Sequence, residues 1–169
     1  MKTIKGTIEK NDWKKVDAQV LGKILAVQEI DLVQSDLRNI AESFAETLKT
    51  ISGIVSCRVC LAGVTVKKGK MISVICQKCP AFQKEAAGKE KISPFLPDFK
   101  CGLSEKSDLH VNAVASPHHQ YGFFIFKVSD HNIFKVYIPF IGNLANYVAL
   151  LLENRFQKDR DEIERKVGE

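Results

Sequence analysis

No uninterrupted apolar run in the 169 residues approaches the roughly 18 to 20 residues that span a bilayer, and the opening MKTIKGTIEKNDW lacks the apolar centre of a signal peptide. The chain is therefore expected in the cytoplasm, with no membrane partner. Internal repeats and low-complexity tracts are absent, which excludes solenoid and fibrous architectures. There is no glycine-rich nucleotide loop with a matching catalytic set, so the chain is expected not to be an enzyme of the kinase type. An even cysteine count is also missing. Five cysteines in a reducing compartment point to free thiols or metal ligands rather than a disulfide framework.

What is present is an apolar content of 45%, enough to build a substantial core for one domain. The net charge of +5 is too small to indicate a nucleic-acid partner, but it is unevenly placed. Residues 67–106 hold nine Lys against four Asp/Glu, an excess equal to that of the whole chain. Such a segment is either a solvated loop region or a local field for an anionic ligand.

Asn11 and Asp12 can cap a helix from Trp13, with Val16, Val20, Leu21, Ile24, Leu25 and Val27 at helical spacing. A second helix follows Ser35 as cap, with Leu37, Ile40, Ala41, Phe44, Leu48 and Ile51 three to four apart and Gly53 as its stop. From Ile54 the period drops to two. Val55, Cys57, Val59 and Leu61 alternate with Ser56, Arg58 and Cys60, as in a half-buried strand. KKGK then predicts a turn centred on Lys68 and a return strand from Met71 to Cys76. Residues 77–107 carry Pro80, Pro94, Pro97, Gly88 and Gly102 without sustained period, the kind of long connection that closes ligand sites. Strands are expected at Leu109–Ala115 and Tyr121–Val128, joined by SPHHQ, with a polar turn at 130–134. The long helix that follows has a wide apolar face at Ile141, Leu144, Ala145, Val148, Leu151 and Leu152. Beyond Glu153 only Phe156, Ile163 and Val167 interrupt a charged run, a thin seam suited to weak helix pairing. The order of elements predicts an α+β fold, an antiparallel sheet covered by terminal helices.

The entry helix DLRNIAESFAETL, the strand GIVSCRVCLA, the strand YGFFIF and the exit helix IGNLANYVALLLENR together resemble a GAF domain, a sensing module of signalling proteins such as histidine kinases. The resemblance runs from about Asp36 to Arg155, giving an N-terminal helical extension at 1–35, the sensory domain at 36–155 and a charged signalling-helix extension at 156–169. It implies a GAF/PAS-like central antiparallel sheet with the N- and C-terminal helices on one face and an irregular segment closing a pocket on the other. It also implies a small-molecule ligand, a homodimer through the terminal helices, and an effector or kinase domain as the output.

Cys57, Cys60, Cys76 and Cys79 fit a C-x2-C-x15-C-x2-C zinc spacing. In the expected hairpin Cys60 faces Cys76 and Cys57 faces Cys79. Residues three apart on a strand point to opposite sides, so those four thiols cannot meet at one metal. Cys57 is then a core residue. Cys60 and Cys76 lie on the face that the resemblance makes the pocket side, with Cys79 and Cys101 bracketing the segment beside it. Cys60, Cys76, Cys79 and Cys101 are therefore the candidate metal ligands, for zinc, an iron-sulfur cluster or, through Cys79, haem. Arg58, Cys60, Cys76, His110 and Asn112 are the candidate ligand-binding residues. Arg58 leads them, because a partly buried guanidinium demands an anionic partner. His118 and His119, at a hairpin tip, are expected in solvent. Most of Phe123, Phe124, Phe126, Phe134 and Phe140 are expected in the core.

Four functions remain in view. One is a cytoplasmic sensory domain that orders residues 77–107 around a small molecule or cofactor and relays the change through its terminal helix. The others are a cysteine-ligated metal redox sensor, or a thiol redox enzyme related to free methionine sulfoxide reductase. A purely structural dimerisation module is the plainest reading.

Overall fold

The computed structural model describes residues 17–26, 36–61, 64–69, 74–79, 94–96 and 98–168. Among them the elements run α1 (Ala18–Ala26), α2 (Leu37–Leu48), β1 (Ile54–Leu61), β2 (Val64–Lys68), α3 (Val74–Gln77), β3 (Leu109–Ala115), β4 (Gln120–Val128), α4 (His131–Phe134), a 3-10 turn (Lys135–Tyr137) and α5 (Ile138–Val167). The strands form one antiparallel sheet in the order β2-β1-β4-β3. The fold is α+β, as the order of elements predicts.

Both helix starts are set by aspartates other than the expected caps. Asp17 Oδ1 accepts from the amides of Gln19 at 2.8 Å and Val20 at 3.4 Å, so α1 opens at Ala18; Trp13 and its proposed caps lie outside the described residues. Asp36 Oδ1 accepts from the Arg38 amide at 3.1 Å and starts α2, while Ser35 is likewise outside the described residues. Gly53 does not stop α2, which ends at Leu48. With φ at +88°, it lets its carbonyl accept from the amides of Ser129 at 2.8 Å and Asp130 at 3.0 Å, joining the start of β1 to the end of β4.

The first hairpin is shorter than predicted. Leu61 pairs with Val64, leaving only residues 62 and 63 between the strands, and Cys60 faces Thr65 while Cys57 faces Lys68. The return strand is thus VTVKK, whose β-branched alternation outweighs the turn signal of KKGK. Cys76 sits instead in α3.

On one side of the sheet Cys57, Val59, Leu61, Phe124 and Phe126 pack with Phe44 and Leu48 of α2 and with Ile141, Leu144, Val148 and Leu152 of α5. Val20 and Ile24 of α1 join the same core. Two irregularities adjust the alternation. A register shift between Ile54 and Ser56 turns Val55 into solvent, and a second between Val114 and Ala115 turns Tyr121 into the helix-side core. Phe156 belongs to this core rather than to a projecting seam: its ring meets His119 at 5.2 Å and Tyr121 at 6.5 Å. Ile163 and Val167, farther along, are exposed.

One helical stretch corrects the expectation that nothing is apolar enough to cross a membrane. Residues His131–Val167 pass by length and composition, with a mean hydropathy of 1.3 over their best window. Within the stretch Ile141, Leu144, Ala145, Val148, Ala149 and Leu152 are buried in the helix-side core, whereas Leu150 is exposed, and 44% of that window is buried.

Among the described glycines, Gly122 has the least room, since a Cβ there would overlap the Cys60 carbonyl oxygen of the paired strand. Backbone cannot rotate away from such a clash. Gly122→Ala should therefore cost about 3 kcal/mol, at the high end of single substitutions. Urea denaturation checks this; an unchanged midpoint would mean that β1 and β4 do not approach so closely.

Candidate functional site

Strand alternation sends Arg58 and Cys60 of β1, and Phe123 and Ile125 of β4, to the face opposite the helices. There they floor a cavity whose walls come from the segments between β2 and β3. α3 and its end contribute Ile75, Cys76 and Cys79, and the loop before β3 contributes Phe99, Cys101, Gly102 and Leu103; Thr65 of β2 completes the lining. Phe95 and Phe99 stack at 4.6 Å and both lean on Phe123, at 6.0 and 5.9 Å. An isolated bridge from Phe95 to Gln120 ties this aromatic group to β4. The cavity is small. It leaves about 20 Å³ for the centres of water-sized bodies, room for one or two waters.

Among the described residues that line it, its chemistry is sulfur and one positive charge. Burial pushes the Cys60 thiol up to about 12 and raises Cys76 and Cys101 as well, so these three are neutral thiols near pH 7. Arg58, only 4% exposed, acts the other way on all three by favouring the thiolate. Thr65, 8% exposed, lies close enough to favour the Cys60 thiolate too, but its Oγ1 meets hydrogen-bond geometry with no partner. Neutral buried thiols are poor nucleophiles, and an agent that binds them must first displace their protons.

The four cysteines expected as metal ligands, Cys60, Cys76, Cys79 and Cys101, all line this one cavity, and Arg58 lines it with them. Among the described residues, however, no three Cys, His, Asp or Glu side chains already stand in metal-holding geometry. Cys57 is on the other side of the sheet, fully buried, with its Sγ donating to the Ala45 carbonyl at 3.4 Å. That matches its expected core role. Burial pushes its thiol up to about 12.

His110 and Asn112 are not at the cavity. They share a strand face with Val114, which packs into the helix-side core, whereas Leu109 and Val111 pack toward the cavity. The period-two phase is as expected and the face is reversed. The His110 ring sits edge-on to Phe134 at 5.3 Å and near Phe126 at 6.3 Å, and its Nε2 is buried without a hydrogen bond. The Asn112 amide donates to the Ala113 carbonyl at 3.2 Å.

A second cluster, absent from the expectations, joins the β3–β4 hairpin to α5. Glu153 Oε2 accepts from Ser116 Oγ at 3.0 Å and from the Tyr121 hydroxyl, and its Oε1 lies 3.2 Å from His119 Nδ1. Ser116 Oγ in turn accepts from the amides of His118 at 3.2 Å and His119 at 3.1 Å. Only His118 is exposed; His119 is half-buried against Phe156. The single sequence hint was an acidic residue at the end of the apolar face of the long helix.

The half-buried imidazole of His110 gives this face a pH dependence. Desolvation, followed by the charge of His131, holds His110 below its ordinary value. The unfolded imidazole takes up a proton near pH 6.5 while the folded one resists, so stability should be complete above about pH 6.5 and fall as the pH drops below it. His110→Phe should flatten that part of the curve. Urea unfolding between pH 7.5 and 5 reads the slope, and an unchanged slope would assign the effect to another group. Searched against protein-family models and against curated proteins, the chain matches none.

Proposed function

We propose that this chain is a GAF-like sensory module, acting in the cytoplasm, whose ligand enters the thiol-lined cavity and whose output leaves through α5. The observation that carries the reading is that β4 serves both sides at once. Phe123 and Ile125 of β4 line the cavity with Arg58 and the four cysteines, while Tyr121, Phe124 and Phe126 of the same strand pack toward the helices. Tyr121 is hydrogen-bonded to Glu153 of α5. A shift of Phe123 around a bound group therefore moves a strand whose next residues hold the terminal helix, and packed interfaces respond to such shifts by discrete rearrangement.

The cavity's size bears on what enters. It suits an ion or a group of a few atoms, and its lining of aromatic and aliphatic side chains around one guanidinium favours a compact anionic or thiol-binding species. Beyond the core, the exposed Ile163 and Val167 support pairing of α5 with a second copy or with an effector helix. A GAF-like identity is supported by an antiparallel sheet with long helices on one face and, on the other, the short α3 and the loop before β3.

The relay can be tested with an imposed occupant. Methyl methanethiosulfonate in excess at alkaline pH should convert the partly exposed Cys79 and Cys101 to mixed disulfides, with methanesulfinate leaving and two methylthio groups filling the cavity, as verified by mass spectrometry. Amide hydrogen exchange in residues 138–160 of α5 should then change at least about threefold in the parent chain, a shift of roughly 0.65 kcal/mol in local opening, and little in Glu153→Ala. Exchange in α5 that ignores the caps in the parent chain would remove the relay.

A further inference from the structure

We propose that the cavity is a mononuclear site for a soft divalent ion of the zinc class, with Cys60, Cys76, Cys79 and Cys101 as its thiolate ligands and Arg58 as the balancing charge. This rests on the cavity being the ligand-receiving site and names what it receives.

The donor set comes first. Among the described residues, every side chain lining the cavity that can coordinate a metal strongly is a cysteine, with no carboxylate or imidazole among them. Oxygen-seeking ions such as calcium or magnesium have no suitable partner there, whereas four sulfurs are a tetrahedral set for zinc and related ions. Size then separates the thiolate-bound groups. With room for one or two waters, the cavity admits a single ion as it stands, whereas a haem or an iron-sulfur cluster would need its walls to part.

Local backbone decides which C-x2-C pair can work. Cys57 and Cys60 lie on a strand and are split across its faces, so only Cys60 is available. Cys76 and Cys79 lie on a helical turn, with the Cys79 amide donating to the Cys76 carbonyl at 3.1 Å, and residues three apart on such a turn are neighbours on one side. Cys101 faces them from the loop before β3.

Charge completes the case. One divalent ion and four thiols give a tetrathiolate complex of charge −2 and release four protons. Arg58, fixed on β1 and 4% exposed, lines the same cavity and so places one positive charge beside the four sulfurs. The thiols do not stand in ligand geometry in this structure, so binding requires them to converge. Cys60 is held by the sheet, so the ion would draw in the three cysteines carried by α3 and the loop, coupling occupancy to the order of those segments.

The full-length chain, reduced and stripped with a chelator, is titrated with Co2+ and then Zn2+. One equivalent of Co2+ should give sulfur-to-metal charge-transfer absorption with tetrahedral ligand-field bands, removed by one equivalent of Zn2+, with up to four protons released per ion. Cys101→Ser and Cys79→Ser, both at partly exposed positions, should each weaken Zn2+ binding at least tenfold, and Cys57→Ser should bind as the parent does. No charge-transfer band in the parent, or equal affinity in the parent, Cys79→Ser and Cys101→Ser, would overturn the site. The thiol-capping experiment is independent: a relay without metal binding leaves the sensory reading and removes the ion, and metal binding without a relay does the reverse.

Discussion

The pairing of β1 with β4 is the constraint on which the molecule depends. Both strands lie in the middle of the sheet and are covered on both faces, so each residue must suit one of two different interiors. Period-two geometry allows no compromise between them. Cys57, Val59 and Leu61 go to the helices, and Arg58 and Cys60 go to the cavity. The close approach at Gly122, against the Cys60 carbonyl, holds the register that keeps this division.

The two interiors differ in kind. The helix side is a dense apolar core in which aromatic rings from α2, β4 and α4 meet, and its few polar groups are gathered at Glu153 or buried in the imidazole of His110. The cavity side is smaller and built from short segments, with sulfur and a guanidinium in place of close packing. A site of this sort belongs on the less tightly packed face, because groups that must move to take up a ligand cannot be held by a close-packed interior. β4 is the partition between the two, and its Tyr121 bulge gives the hairpin tip its hold on α5.

Much of the fold was legible from local pattern. The strands β1, β3 and β4, the amphipathic α2 and the long α5 follow from periods of 2 and 3.6, and the core role of Cys57 follows from its phase with Val59 and Leu61. The grouping of Cys60, Cys76, Cys79 and Cys101 was also within reach, though by way of a hairpin that does not form: Cys76 arrives on a helical turn, not opposite Cys60 on a strand. Two features lay beyond local reading. The face to which His110 and Asn112 belong depends on which side of β3 the helices cover, and the ring of hydrogen bonds at Glu153 joins residues 32 to 37 positions apart.

The sequence by itself determined the elements and their two-sidedness, because hydrophobic period and turn chemistry act between residues a few positions apart. It also determined, through their shared phase on β1, that Arg58 and Cys60 would lie on one strand face and Cys57 on the other. Only tertiary structure decided which face is the cavity, how small that cavity is, and that Glu153 fastens the hairpin to the terminal helix. Those outcomes depend on how helices and loops far apart in the chain divide the two sides of one sheet, and no local period carries that information.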